Sequence, residues 1–228
     1  MKNIPKFNGF SPAASEFMLQ LKFNNDRSWF NPRKQIFEDT VNTPFKALAS
    51  EVAEIMQENH PEYEINLHTA RIYRDARRLY GRGPYKDNLW FTIQTWSGKA
   101  RGIGFWFGFD AVEYEFGVGC YNASATQMKA YRDSIDANPE AFKQIIREIE
   151  KYPEFELVGP VYAKYKKDVG DELNSWYNRK QVIIVSTEEF KGDIFSKDFP
   201  KILADKFELL MPFYEYFMAH CPPEPYRA

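Results

Sequence analysis

The sequence predicts an α+β fold, with helices in the N- and C-terminal parts packed on a central, mainly antiparallel β-meander. Two periodicities of the apolar residues predict it. Toward both ends these residues recur every three or four positions, which is typical of amphipathic helices. Over about residues 69–121 and 181–187 they occupy alternate positions, which is typical of half-buried strands. No repeat or change of composition divides the chain, so one domain over residues 1–228 is expected.

The N-terminal part carries start and stop signals for helices. Ser11–Pro12 is a typical helix start, because serine can cap free N–H groups and proline fits the first turn. Asn31–Pro32 predicts a second start, and Thr43–Pro44 predicts either a third start or a kink in the second helix. His60–Pro61 ends the segment. Two or three helices are therefore expected before the sheet.

Three stretches in the middle of the chain show the strand pattern: Leu89–Gln94, Ile103–Phe109 and Val112–Gly119. A tight turn near Asp110–Ala111 makes the last two an antiparallel pair. One face is expected to be aromatic and buried, and the other to carry several glycines and one tryptophan. These glycines leave backbone that another element or a ligand can approach closely.

Helix signals return after these strands. Ser124, with Gln127 three residues on, matches a capping box, and Asn138–Pro139 begins another helix. Residues 152–180 are polar and irregular. The remaining predicted elements are a short helix around 173–177, a strand at 182–185, a last helix at about 197–220 that Pro212 is expected to kink, and a frayed tail at 222–225.

Composition excludes several classes of protein. With 44% hydrophobic and 27% charged residues, the chain has an ordinary globular composition. No apolar run approaches the roughly 18 residues that a membrane span needs, and none follows the first charged residues as in a signal peptide. Cys120 and Cys221 form neither a disulfide framework nor a zinc pattern. A soluble cytoplasmic protein without a metal site is therefore expected.

The strongest functional signal is a concentration of positive charge between Thr69 and Arg101. Only Asp75 and Asp87 oppose eight basic residues, so this segment has a net charge of +6. Since the whole chain has a net charge of −2, the remainder carries −8. Guanidinium groups present planar pairs of donors that suit phosphate and carboxylate groups. The basic residues are Arg71, Arg74, Arg77, Arg78, Arg82, Lys86, Lys99 and Arg101.

This segment predicts a pocket for a small anionic ligand, which is a phosphorylated or carboxylated molecule. Residues 77–86 are expected to form a turn between two strands, where glycines free backbone donors that can join the cations around an anion. If a reaction takes place there, Asp75 is the candidate base. The predicted ligand-binding residues are Arg71, Arg74, Arg77, Arg82 and Lys86, with Asp75 and Tyr85 orienting them and Asn25 and Arg27 at the rim.

Two other interpretations of the segment remain open. One is a binding surface for nucleic acid or protein, because arginine, tyrosine and tryptophan interleave, although the net negative charge of the chain argues against nucleic acid. The other is a structural network, in which carboxylates from the rest of the chain pair every arginine. No nucleophile elbow, zinc-binding helix or phosphate-binding loop is present, and His68 is the histidine near the segment. The sequence assigns neither a reaction nor a cofactor.

Several short motifs occur together along the chain. They match the patterns Asn-Asn-x-Arg-x-Trp-Phe, Arg-x-x-Arg-Asp-x-Arg-Phe up to its last residue, Pro-Tyr-Lys, Gly-x-Gly and a late Arg-Lys, and a single arginine between the last two also fits. The positions are Asn24–Phe30, Arg71–Arg77, Pro84–Lys86, Gly117–Gly119, Arg132 and Arg179–Lys180. In this order they resemble a bacterial and fungal family, domain of unknown function 2461, over about residues 7–185.

The chain departs from that pattern in two places. Tyr80–Gly83 stands where the family has a Lys-Asp-Lys-like stretch, and Lys167–Asn178 contains no Asp-His-Pro-like element. The resemblance implies a compact α+β protein of the cytoplasm. It implies no particular reaction.

Overall fold

A computed structural model describes residues 5–98 and 100–225, without the side chain of Arg78. Lys99 and the Arg78 side chain, both part of the basic segment, therefore lie outside the described residues. The helices are α1 (Pro12–Phe23), α2 (Arg27–Phe30), α3 (Lys34–Phe37), α4 (Thr43–Asn59), α5 (Ala125–Ala137), α6 (Pro139–Ile149), α7 (Asp171–Tyr177) and α8 (Phe199–His220). The strands are β1 (Asn66–Thr69), β2 (Leu89–Gln94), β3 (Ala100–Arg101), β4 (Gly104–Phe109), β5 (Glu113–Gly119), β6 (Glu156–Val158), β7 (Ile183–Glu189) and β8 (Glu224–Pro225).

These elements confirm the predicted α+β class with its antiparallel sheet. Six strands form one sheet in the order β1-β2-β4-β5-β7-β6. β6, which the sequence analysis missed, lies antiparallel to β7 with Leu157 opposite Ile184. The short strands β3 and β8 pair separately, with Arg101 opposite Glu224. In the six-stranded sheet β1 occupies one edge, next to β2.

The chain divides into two units. Unit 1 comprises residues up to Ile93, Trp106–Glu115 and Thr187–Asp205. Unit 2 comprises Gln94–Phe105, Phe116–Ser186 and residues from Lys206 onward. The single domain expected from the sequence stays a prediction.

Aromatic rings fill the core of unit 1. In β2 and β4, Phe91 and Phe107 stack with ring centroids 5.3 Å apart. Burying one such side chain stabilises a fold by roughly 1.5–3 kcal/mol. On the helical side, α4 buries apolar residues at the predicted spacing: Phe45, Leu48, Val52 and Met56.

In unit 2, α8 supplies much of the core. Tyr214 stacks on Phe105 with centroids 4.8 Å apart, and its hydroxyl accepts a hydrogen bond from the amide of Thr95 (2.9 Å). Pro212 lies inside this helix, which continues to His220. Neither α8, with 22 residues, nor any other helix of the described residues has an apolar stretch long enough to cross a membrane.

The chain between α1 and α4 is more continuous than predicted. The second helical segment begins at Arg27 and not at Asn31–Pro32, because the side chain of Asp26 caps it by accepting from the amide of Trp29 (2.9 Å). Asn31–Pro32 instead begins a 3-10 turn, and a π turn joins α3 to α4. Ser11 precedes α1 as predicted, but its side chain makes no capping hydrogen bond.

One further expectation about packing is corrected and another is confirmed. The predicted frayed tail is wrong, because Glu224–Pro225 pairs with β3 and the carbonyl of Pro222 accepts from Gln127 Nε2 (3.1 Å). On the glycine-rich face of the strands, Trp106 is only 9% exposed. Gly117 confirms the expected close approach of backbone, because a Cβ atom there would overlap the carbonyl oxygen of Ile184.

Candidate functional site

The basic segment continues the β1–β2 pair as an irregular hairpin. The amide of Lys86 donates to the carbonyl of Ile72 (2.7 Å), and Tyr73 and Tyr85 form an isolated antiparallel bridge beyond it. Both arms therefore extend past the ends of the regular strands. Side chains that alternate along these arms are held at fixed positions relative to the sheet edge.

A tight turn closes the hairpin, as the sequence predicted. The amide of Arg82 donates to the carbonyl of Leu79 (2.9 Å). The two residues between them, Tyr80 and Gly81, have φ angles of 47° and 78°. Positive φ at both central positions is the geometry of two-residue hairpin turns. Glycine adopts it at little cost, and the tyrosine beside it carries a ring that is 82% exposed.

An asparagine from the N-terminal helices fixes the second arm. Asn25 Nδ2 donates to the carbonyl of Tyr85 (3.0 Å), and the amide of Tyr85 donates to Asn25 Oδ1 (2.9 Å). Gly83 packs directly on Asn25, where a Cβ atom would overlap the carboxamide. The Tyr85 ring is buried and stacks on Phe30 with centroids 4.1 Å apart. This asparagine clamp holds the basic arm on the helices of unit 1.

A groove of about 700 Å³ runs along the hairpin and the edge of the sheet. Nine residues were predicted for the site, and five of them line this groove. All five come from the two arms of the hairpin, so a stretch of sixteen residues supplies the charged side chains of the groove. They are Arg71, Arg74, Asp75, Arg77 and Lys86.

Two of the arginines are paired with carboxylates. Arg74 donates through Nε to the carbonyl of Tyr85 (2.6 Å) and through Nη2 to Asp87 Oδ1 (3.0 Å). Arg77 forms two bonds to Asp75, from Nε (3.0 Å) and Nη2 (2.8 Å). The structural interpretation of the segment therefore accounts for these two side chains. Their guanidinium groups are held in fixed orientations along the groove.

Lys86 and Arg71 differ from that pair. Among the described residues neither forms an ion pair with a carboxylate. Lys86 is half-buried, and its Nζ lies 5.8 Å from the ring centroid of Trp90. Burial, together with the positive charges of Arg71 and Arg74, lowers the pKa of Lys86. The groove therefore has positive charge that the described carboxylates do not neutralise.

Asp75, the candidate base, uses its carboxylate oxygens to hold the backbone and side chain of Arg77. Its Oδ1 accepts from the amide of Arg77 (3.0 Å) and caps the short 3-10 turn that follows. Its hydrogen bond and charge raise the pKa of Arg77. No three His, Cys, Asp or Glu side chains of the described residues are grouped so that they could hold a metal ion.

The other four predicted residues do not line the groove. Asn25 and Tyr85 lie behind it, where their polar atoms bond to each other. Arg27 and Arg82 are exposed, and Arg82 Nε donates to the carbonyl of Leu79 (3.3 Å). The sequence could not distinguish these roles, because the partners Asn25 and Tyr85 are sixty residues apart.

Aromatic rings complete the groove, and the sequence analysis did not assign them to the site. His68 and Trp90 lie on the neighbouring strands β1 and β2 with ring centroids 5.5 Å apart. Tyr73, which is 48% exposed, adds a third ring. Strand alternation was the available signal, since Trp90 follows the buried Leu89 and therefore faces the other side of the sheet.

Comparison with known proteins gives a family but no characterised relative. Residues 13–216 match the model of a family described as a conserved hypothetical protein (DUF2461). The matched range contains the whole hairpin and extends well beyond residue 185, where the resemblance of the motifs ended. No curated protein matches the chain.

Proposed function

The chain belongs to the DUF2461 family, and we propose that its groove binds the phosphate or carboxylate group of a small molecule. One observation carries this proposal. Lys86 and Arg71 line the groove without an ion-pair partner among the described residues, whereas Arg74 and Arg77 beside them each have one. A half-buried lysine that faces two guanidinium groups is a favourable site for an anion.

The paired arginines support binding in a different way. Hydrogen bonds to Asp87 and Asp75 orient the guanidinium groups of Arg74 and Arg77 before a ligand arrives. Donors that are already oriented lose less conformational entropy when a ligand binds. In this proposal Arg74 and Arg77 give geometry, and Lys86 and Arg71 give the net charge that selects an anion.

The rings along the groove fit an organic part of the ligand. Trp90 and His68 present flat surfaces beside the cations. A ligand that carries an anionic group on a ring or a flat carbon skeleton can contact both. Asp75 is given an orienting role in this proposal, because its oxygens already bond to Arg77.

One observation favours a second candidate, the binding of single-stranded nucleic acid. Tyr73 and Tyr80 are 48% and 82% exposed, and both lie among the cations of the hairpin. Exposed aromatic rings beside basic side chains are typical of surfaces on which bases stack. This function predicts an affinity that falls steeply with salt concentration, because binding releases counterions.

Thermal-shift and calorimetric titrations of the whole chain test the two functions. The ligands are inorganic phosphate, pyrophosphate, nucleotides, dicarboxylates and short oligonucleotides, each at two salt concentrations. A ligand at a hundred times its Kd raises the free energy of unfolding by about 2.7 kcal/mol, which shifts the melting midpoint visibly. A shift with a small anion supports the groove, and an oligonucleotide shift that salt abolishes supports the second candidate.

Lys86→Met is the decisive variant, and Lys34→Met is its matched control. Both remove one positive charge, but Lys34 is exposed and does not line the groove. Lys86→Met is expected to weaken anion binding about tenfold, the loss of one charge-assisted contact, while Lys34→Met binds as the wild type does. An unchanged affinity in Lys86→Met, or no response to any ligand, contradicts the proposal.

A further inference from the structure

A second group of cations surrounds one aromatic ring in unit 2. Lys166 Nζ lies 4.4 Å from the ring centroid of Tyr162, Lys180 Nζ lies 5.7 Å from it, and Arg132 Cζ lies 5.8 Å from it. The three cations come from α5, from the loop after Tyr162 and from the residues before β7. We call Arg132, Tyr162, Lys166 and Lys180 the Tyr162 cluster.

The backbone of this cluster is tied together by a short ladder. Val161 and Arg179 form an isolated antiparallel bridge. The amide of Tyr162 donates to the carbonyl of Asn178 (3.1 Å), and that of Lys180 donates to Pro160 (2.8 Å). The segments that carry Tyr162 and Lys180 are therefore fixed side by side.

Asn178 fixes the remaining loop. Its side chain is 2% exposed, and Oδ1 accepts from the amides of Lys166 (2.6 Å) and Lys167 (3.4 Å). Nδ2 donates to the carbonyls of Lys167 (3.0 Å) and Asn174 (3.3 Å). A buried carboxamide with these bonds holds the backbone of Lys166 in place.

Arg179 adds charge beneath the cluster without a carboxylate partner. Its guanidinium donates to the backbone carbonyls of Ser175 (2.8 Å), Gly159 (2.7 Å) and Leu157 (3.0 Å). Burial lowers the pKa of this side chain. The arginine bonds entirely to backbone, so its positive charge is not offset by an ion pair within the described residues.

Carboxylates of the described part of unit 2 do not neutralise the cluster. Asp136 lies on α5 four residues after Arg132, but its oxygens accept from Lys167 Nζ (2.6 Å) and from the Tyr177 hydroxyl (2.9 Å). Neither it nor any other described carboxylate forms an ion pair with Arg132, Lys166 or Lys180.

One buried donor of the cluster, Arg132 Nη1, lacks a partner in the described part of the chain. The hydroxyl of its neighbour Tyr131, whose fully buried ring packs on Phe142 and Phe217, also lacks one. Burial raises the pKa of Tyr131 well above its usual value, while the charges of Arg179 and Arg132 act in the opposite direction. The phenol is therefore a neutral O–H donor in the field of both guanidinium groups. Buried polar atoms without partners are rare in folded proteins.

We infer that the Tyr162 cluster is a second anion site, which takes a phosphate or carboxylate group between Arg132, Lys166 and Lys180. An oxyanion accepts the hydrogen bond that Arg132 Nη1 leaves unused. It also offsets the positive charge around Tyr162, which a water molecule does not. Lys166 and Lys180 are exposed, so the site opens to solvent on their side.

The first experiment is calorimetry of the whole chain with inorganic phosphate and, separately, with malonate. Lys86→Met serves as background, because it is expected to weaken binding in the groove of unit 1 about tenfold, and the cluster variants below assign the binding that remains. Binding of either anion in that background supports the inference, and the anion bound more tightly identifies the class. Binding of neither anion overturns it. The groove proposal is judged separately, by comparing wild type with Lys86→Met.

Variants within the cluster locate the binding. Adding Arg132→Met to the Lys86→Met background is expected to weaken the remaining affinity about tenfold or more, as one charge-assisted bond is lost. If that protein fails to fold, Lys166→Met replaces it, because its side chain is exposed. Lys164→Met removes an exposed charge from the same loop and is expected to bind normally. Equal affinities in Lys166→Met and Lys164→Met overturn the inference.

Discussion

The groove of unit 1 and the Tyr162 cluster of unit 2 are built on the same device. In each, one asparagine side chain bonds to the backbone of a basic segment and holds it. Asn25 bonds to both backbone groups of Tyr85, and Asn178 bonds to Lys166 and Lys167. The two sites differ in what surrounds the cations. Carboxylates pair two arginines in the groove, whereas no described carboxylate pairs with a cation of the cluster, where Arg132 Nη1 is buried without a partner in the described part of the chain.

The two sites therefore differ in how their positive groups are oriented and in how much positive charge remains. Asp75 and Asp87 reduce the positive charge of the groove but fix the direction of its guanidinium groups. In the cluster, hydrogen bonds to the backbone hold the segments in place, and no described carboxylate neutralises the positive charge. We therefore expect the groove to select ligands by shape as well as charge, and the cluster to bind a compact anion.

The largest expected effect is on stability, from Asn178→Ala. The substitution removes a buried carboxamide and leaves the amide of Lys166 and the carbonyl of Lys167 without their side-chain partner, so the free energy of unfolding is expected to fall by about 2–4 kcal/mol. Urea denaturation measures it. Asn178→Asp keeps the acceptor oxygen and is expected to lose less. A loss below that of Asn25→Ala would show that Asn178 is not the main support of its loop.

The second largest effect is expected from Asn25→Ala, which lowers the free energy of unfolding by about 1–2 kcal/mol. The effect is smaller than that of Asn178→Ala because the Asn25 side chain is only half-buried and water replaces part of its hydrogen bonding. The same variant sharpens the comparison between sites. Anion binding in the groove is expected to weaken, since Tyr85 and the arm that carries Lys86 lose their support. Binding at the Tyr162 cluster is expected to stay unchanged. Calorimetry with phosphate measures binding at both sites. Equal weakening at both contradicts the role of Asn25 as a support of the groove alone.

The pH dependence of Lys86→Met tests whether the charge of the groove opposes folding. The pKa of Lys86 is lowered in the folded chain, chiefly by burial and then by Arg71 and Arg74. The charged form is therefore destabilising below the lowered pKa, and this cost disappears as pH rises through it to the ordinary value of 10.5. Lys86→Met is expected to be at least as stable as wild type at neutral pH.

The measurement is urea denaturation of Lys86→Met and wild type from neutral pH to above 10.5. The advantage of the variant should shrink across this range, since wild-type Lys86 loses its proton there. If the stability advantage of the variant instead grows with pH, the charged Lys86 stabilises the folded chain through an ion pair. That result contradicts its assignment as an unpaired cation of the groove. Anion affinity of the wild type should fall over the same range, because the neutral amine attracts no anion.

The sequence predicted those helices and strands whose signals lie in residues close together along the chain. The capping box at Ser124 is formed by both hydrogen bonds, and Asn138 caps α6 through the amide of Ala141. Sequence alternation located β2, β4 and β5. The short strands β3, β6 and β8 were missed, because two-residue and three-residue pairings leave no periodicity and depend on partners far along the chain.

The sequence predicted the groove but not the Tyr162 cluster, and the reason is again how far apart the residues lie along the chain. The groove takes its cations from one contiguous segment, so a count of charges found it. The Tyr162 cluster draws Arg132, Lys166 and Lys180 from separate elements, within a region whose charges are mixed in sign. Asn25 was predicted to contact a ligand, and no local pattern could show that its carboxamide is used on Tyr85 instead.

The smallest expected effect is that of Arg77→Ala on stability, and it tests whether a carboxylate pair in the groove serves binding or folding. The Arg77 side chain is 87% exposed in its pair with Asp75, and exposed ion pairs contribute little to stability. The unfolding midpoint is therefore expected to stay where it is, while anion binding in the groove weakens. Arg74→Ala is the comparison, because its Nε also holds the carbonyl of Tyr85 (2.6 Å) and its side chain is only 16% exposed. If Arg77→Ala lowers the midpoint as far as Arg74→Ala does and leaves anion binding unchanged, the Asp75 pair supports the fold and Arg77 is not a ligand contact.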